Sequence, residues 1–229
     1  MSLTTGRGPF GSKPAGRFDF DAPEQVVYVE DFPRRVRAVV EGRTVIDSGE
    51  VVLVHETGKL PHYAFPAAAV EIASEDEPHA DGYVTVAWES VDAWFEEDER
   101  VEVHPRDPYH RIDTFSTSRR VRVTLDGVTL AETTRSRALY ETGLPVQFYV
   151  PSADVEVGLL EPSPTKTECP YKGTARHWSA RIDGRLVEDV AWQYDIEVRR
   201  EAEPVRGYYA FYDDRATIEV DGRRPTTAG

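Results

Sequence analysis

The chain has 229 residues, 40% of them hydrophobic and 10% aromatic, enough apolar surface to offset the entropy of folding and to exclude wholesale disorder. Its formal charge of −14 is uneven: residues 1–112 hold 11 Lys/Arg against 22 Asp/Glu, residues 113–229 hold 16 against 19, and such a surface repels a phosphate backbone, which disfavours nonspecific nucleic-acid binding. No uncharged apolar run approaches the roughly 18 residues of a membrane span, and the single cysteine, Cys169, can form neither an internal disulfide nor a four-thiolate zinc site.

The expectation is therefore a soluble cytoplasmic protein with no membrane or nucleic-acid partner, no metal and no cofactor. Residues 1–25, rich in Gly, Pro and Ser, read as a flexible arm. From there apolar residues alternate. Val36, Ala38 and Val40 lie on one side, with Arg35, Arg37 and Val39 on the other, which is strand period with one buried face. Glu41-Gly42 then supplies the positive φ of a tight hairpin turn. Ser74–Gly82 reads as a short acidic turn, and the acidic run Glu96–Glu99 as a solvated edge that blocks strand addition. The segment His104–Asp113 holds two imidazoles and two carboxylates. Its spacing is not diagnostic of metal, and its two prolines and two arginines fit a stiff, salt-bridged connector better.

At that point the pattern begins again. Arg34–Ile72 aligns without a gap on Arg119–Val157 at a constant offset of 85, with 13 identities in 39 positions. Shared residues include Arg34-Arg35-Val36-Arg37 with Arg119-Arg120-Val121-Arg122 and Glu56-Thr57-Gly58 with Glu141-Thr142-Gly143. A weaker match pairs Ala93-Trp94-Phe95 with Ala210-Phe211-Tyr212. Self-similarity at a fixed period indicates two copies of one supersecondary unit: a first domain over 26–112, a second over 113–222, and a tail over 223–229. Further acidic-Gly turns at Asp126-Gly127, Asp183-Gly184 and Asp221-Gly222 fit meandering antiparallel sheet, so the fold class is all-β. Two domains in one chain can stand in for a dimer, so self-association is not required.

The second copy has a segment the first lacks, Glu161–Gly173, whose three prolines predict a stiff loop outside the sheet. Its run Lys166-Thr167-Glu168-Cys169-Pro170-Tyr171-Lys172-Gly173, with Trp178, Asp189-Val190-Ala191-Trp192 and Gly207-Tyr208-Tyr209-Ala210-Phe211-Tyr212, resembles the domain of unknown function 427 family. Tyr140-Glu141-Thr142-Gly143-Leu144-Pro145 resembles that family's front half. The likeness covers most of residues 119–222, and residues 26–112 resemble a second, degenerate copy. It implies two tandem β-tent (Mss4-like) antiparallel domains in pseudo-symmetric arrangement, a fold shared with Yippee and methionine sulfoxide reductase B proteins. Those relatives hold zinc on four cysteines, which this chain does not have. The family is also labelled a nucleotidyltransferase relative, yet no Gly-rich phosphate loop leads into a helix here.

The candidate chemistry sits on this second copy. Lys166, Cys169 and Lys172 place a thiol beside two ammonium groups, which would lower the thiol pKa and favour it as a nucleophile; the alternative is a thiol that plugs the sheet and lysines that face water. Glu141 is a candidate base or, like Glu56, a turn-fixing carboxylate. Arg135, Arg137, Tyr171 and His177 are candidates to orient an anionic ligand, with the two arginines predicted to share a strand face and build a positive pocket with the lysines; the alternative is a solvated face. Trp178 and Trp192, with Tyr194, line either an aromatic pocket or the core. The leading expectation is a pocket for a small anionic or aromatic metabolite, catalytic or not. The alternative is a noncatalytic scaffold whose acidic first domain docks a protein partner.

Overall fold

A computed structural model describes residues 3–225, and the chain divides into two compact units, residues 1–110 and 111–229. Unit 1 holds strands β1 (Val27–Phe32), β2 (Val36–Val40), β3 (Arg43–Ser48), β4 (Val51–Glu56), β5 (His62–Pro66), β6 (Glu75–Asp76), β7 (Tyr83–Thr85), β8 (Ala93–Glu96) and β9 (Glu99–Val101). They form two antiparallel sheets, ordered β1-β4-β5-β7-β6 and β3-β2-β8-β9. Unit 2 holds β10 (Ile112–Ser116), β11 (Val121–Leu125), β12 (Val128–Thr133), β13 (Arg137–Glu141), β14 (Gln147–Tyr149), β15 (Leu160–Cys169), β16 (Gly173–Ile182), β17 (Arg185–Ile196), β18 (Tyr209–Phe211) and β19 (Thr217–Val220). Its three sheets run β10-β13-β14, β12-β11-β19 and β15-β16-β17-β18. The fold is all-β, with only short 3-10 turns besides among the described residues.

Pairing in one unit recurs in the other at the 85-residue offset. Val52↔Ala64 is answered by Arg137↔Tyr149, Val27↔Glu56 by Ile112↔Glu141, and the bulge after Ala38 by the bulge after Val123. The bridge Ile46↔Val70 returns as Ala131↔Val155. The Thr57 and Thr142 hydroxyls accept from the backbone N–H of Val26 and Arg111, closing the same turn each time. The weaker match does not survive. β8 lies beside β2, and the place beside β11 belongs to β19; Ala210-Phe211 sits instead in β18, against β17. Similar small-aromatic composition had no common register behind it.

In unit 1 the buried face of β2 meets Ile46, Leu53, Phe65 and Trp94. Trp94 stacks on Phe65 and Trp88. Glu96 shares Trp94's face two residues on, so it points inward rather than forming the expected solvated edge. It accepts from the Tyr63 hydroxyl at 2.6 Å and pairs with Arg34 at 2.5 Å. The N-terminal arm also makes contacts that its composition does not suggest. Residues 3–15 close on themselves through backbone bonds such as Phe10 N to Leu3 O, and Gly58 N donates to Thr4 O. The Thr57 hydroxyl donates to Phe10 O, and Thr4 and Thr5 are buried. Residues 1–2 of the arm and 226–229 of the tail lie outside the described residues.

In unit 2 the sheet β10-β13-β14 is covered on both faces. Ala138 and Phe148 join one core with Val121, Val123 and Phe211, while Leu139 and Tyr149 join a second with Ala175, Tyr194 and Ala210. Glu141 ends β13 on the Leu139 face, at the rim of that second core.

Candidate functional site

The proline-bearing segment expected as a loop is strand β15. It is an edge strand, paired only with β16, and an edge strand needs no donors on its outer side, so Pro162 and Pro164 are tolerated there. The register breaks between Pro162 and Lys166, where the Ser163 hydroxyl accepts from Thr165 N at 3.1 Å. Pairing then resumes through Cys169↔Gly173, leaving Pro170, Tyr171 and Lys172 as a three-residue turn with all three buried. Gly173 adopts φ +98°, and a Cβ there would lie 2.0 Å from the Glu197 carbonyl oxygen. Only glycine fits that close approach.

Register decides which side chains meet, because directly paired residues share a face. Thr167 pairs with Ala175, Ala175 with Tyr194, and His177 with Trp192. Cys169, Thr167, His177, Trp192 and Tyr194 therefore line one face of the sheet. At one end of it the Lys172 ammonium donates to Glu141 Oε2, with only 11% and 5% of the two side chains exposed. Lys172 Nζ also stands 5.8 Å from the centre of the Tyr194 ring. Burial pushes the Tyr194 hydroxyl pKa far up, helped by Tyr149, Cys169 and Glu141. Burial does the same at Tyr149, against the hydrogen bond from Trp192. Both phenols are thus neutral donors at any physiological pH. Trp192 Nε1 donates to the Tyr149 hydroxyl at 3.2 Å, and its ring lies 4.4 Å from Tyr212. Tyr212 stacks on His177, which reaches Thr167 Oγ1 at 3.0 Å. Glu141 also lines an open cleft of about 240 Å³ with Arg111, Asp113, Tyr140, Thr142 and Leu144.

A family model described as Domain of unknown function (DUF427) matches residues 28–81 and 113–222. This chain belongs to that family. The second DUF427 segment holds every residue of the face just described, whereas the first ends before Trp88 and β8. No curated protein matches the chain.

Of the residues singled out by sequence, this DUF427 chain brings together Glu141, Cys169, Lys172, His177 and Trp192, with Tyr171 buried in the turn. Four others lie elsewhere. Lys166 pairs with Arg176 on the opposite face of the sheet and is exposed. Trp178 also faces that way and packs on Tyr209 in the core. Arg137 donates to Ser116 Oγ at 3.0 Å. Arg135 precedes β13 and makes a two-pronged pair with Asp154 at 2.8 and 2.7 Å. The positive pocket expected from two arginines and two lysines does not form, because Asp154 claims one arginine and the strand pleat sends Lys166 away. Tyr149 and Tyr212 were not singled out. Tyr149 stands where unit 1 has Ala64 at the aligned strand position, a small-to-large difference that could have flagged it. Among the described residues no group of three or more His, Cys, Asp or Glu side chains could hold a metal ion.

The Arg135–Asp154 pair carries a pH prediction. Hydrogen bonds from Arg135 and Thr133 hold the Asp154 carboxyl down at about 2. Its contribution to stability is then complete above the ordinary carboxylate value of about 3.9 and is lost as pH falls through the folded value. Urea unfolding across that acid range should show Asp154→Asn losing part of the wild-type acid limb, with the two proteins converging at the lowest pH.

Proposed function

We propose that unit 2 binds a small molecule bearing an anionic or aromatic group on the Lys172 face of its four-stranded sheet, with Glu141, Lys172 and Cys169 as the reactive groups. The observation that carries this reading is the buried Lys172–Glu141 pair. Taking two charges out of water costs several kcal/mol per ion, and a hydrophobic pair of similar volume is often as stable or more so. A buried pair beside an open cleft is therefore better explained by what it binds than by what it holds. The equivalent carboxylate in unit 1, Glu56, pairs with Lys59, which is 65% exposed; the buried cation is unit 2's addition. An incoming carboxylate or phosphate would share Lys172 Nζ with Glu141, while an aromatic ring would lie against Trp192 and Tyr212. The common register of the two units supports descent from a duplicated domain, with unit 1 a degenerate copy that lacks the site. The lone cysteine supports a cytoplasmic setting.

A thermal-shift panel of small carboxylates, phosphates and aromatic acids tests the reading. A binder present at a hundred times its Kd should stabilise the wild type by about 2.7 kcal/mol. It should leave a Lys172→Met, Glu141→Leu double variant unshifted. Equal shifts in both proteins would place the ligand elsewhere, and a response confined to protein partners would favour a scaffold.

A further inference from the structure

At the other end of the same face a hydroxyl, an imidazole and a carboxylate stand in sequence. Thr167 is an exposed residue of edge strand β15. His177, 3% exposed, sits behind it with Nε2 at 3.0 Å from that oxygen. The ring is held by stacking on Tyr212. Its other nitrogen, Nδ1, is buried without a hydrogen-bond partner, and so is Asp189 Oδ1. Asp189 is fixed in a left-handed backbone conformation at φ +50°. Thr165 donates to its Oδ2 at 2.9 Å, and Ser179 Oγ accepts from its N–H. Arg215 donates to the Asp189 carbonyl at 2.7 Å and reaches Oδ2 at 4.0 Å.

We propose that Thr167, His177 and Asp189 form a nucleophile, base and carboxylate relay that accepts an acyl group from a small activated ester. Nucleophile and base are already at hydrogen-bonding distance, and Asp189 is close enough to act electrostatically on the ring, with Nδ1 and Oδ1 both buried and unpartnered. One water between Nδ1 and Oδ1 would satisfy both and fix the tautomer that leaves Nε2 free to accept. Two electrostatic facts agree with this. Burial lowers the His177 pKa, against Asp189, so the ring is neutral and able to take a proton near pH 7. Burial opposes ionisation of Asp189, but the Ser163 and Thr165 hydroxyls, with His177 and Arg215, more than offset it and keep the carboxylate charged. In the step itself, Thr167 Oγ1 bonds to the ester carbonyl carbon as its proton passes to His177 Nε2, and the C–O bond to the leaving alcohol breaks. The imidazolium returns the proton to the leaving oxygen or to solvent. Water then attacks the acyl-threonine with His177 again as base, releasing the acid and restoring the hydroxyl.

The test uses p-nitrophenyl acetate on the full chain. The expected result is release of p-nitrophenolate with acetyl located on Thr167 by peptide mass spectrometry. Thr167→Ser should keep the labelling, whereas Thr167→Val and His177→Gln should lower the rate by about 10²–10⁴-fold. Asp189→Asn should slow it as well. Because Thr167 is exposed, its variants should fold even if His177→Gln does not. An unchanged rate in folded Thr167→Val, or acetyl found only on Lys166, Lys172 or Cys169, would overturn the relay. Neither outcome bears on the Lys172–Glu141 reading, which rests on different residues and a different variant.

Discussion

Lys172→Met alone should lower the stability of the protein by about 3–5 kcal/mol, because it leaves the Glu141 carboxylate charged and buried without its cation. Methionine keeps the length and most of the volume of the lysine stem, so the loss would report charge rather than a cavity. Adding Glu141→Leu to the same chain should restore stability to the wild-type value or above it, since two apolar groups pack there without desolvated charge. Urea unfolding of the wild type, both single variants and the double variant completes the cycle. A double variant as unstable as the sum of its parents would show that the pair holds the fold together, and the argument that it is kept for a ligand would then lose its main support.

The second large effect concerns the backbone that presents Lys172. Gly173→Ala should be among the most disruptive single-methyl additions in the chain. Its φ of +98° is costly for any residue with a Cβ, by about 1–3 kcal/mol, and the added carbon would sit 2.0 Å from the Glu197 carbonyl oxygen. Something must therefore move. Lys172 O accepts from Arg199 N at 3.1 Å, so the segment that has to yield is the one that pins the turn. Gly184→Ala is the matched control. Its φ is +80°, but a Cβ there meets nothing within 4 Å. Thermal denaturation should show Gly184→Ala losing only the conformational cost, with Gly173→Ala losing clearly more and also losing ligand response. Equal losses would mean the close approach relaxes without consequence.

Much of the architecture was readable because strands announce themselves locally. The alternation of Val36, Ala38 and Val121, Val123, the acidic-Gly turns and the 85-residue offset all depend on short-range pleat and turn chemistry. Three features did not announce themselves, each for a tertiary reason. The prolines of Glu161–Gly173 argue against a central strand but not against an edge, and edge position is a property of the whole sheet. Glu96 looks solvated in an acidic run, yet its parity with Trp94 turns it inward to Tyr63. Arg135 and Arg137 looked like a pair on one face, but β13 begins only at Arg137, and Asp154, which captures Arg135, arrives from a 3-10 turn 19 residues on. The site was legible in part for the same reason. Lys172 and Cys169 drew notice as residues that unit 1 lacks, whereas the facing of Lys172 toward Glu141 depends on a contact 31 residues apart.

The most direct measurement is a crystal structure of the protein soaked with the tightest binder from the ligand panel. The account predicts that the binder's anionic group lies within hydrogen-bonding distance of Lys172 Nζ, or its ring against Trp192 and Tyr212, in unit 2. A binder seated in unit 1, or on the opposite face of the sheet beside Lys166 and Arg176, would contradict it.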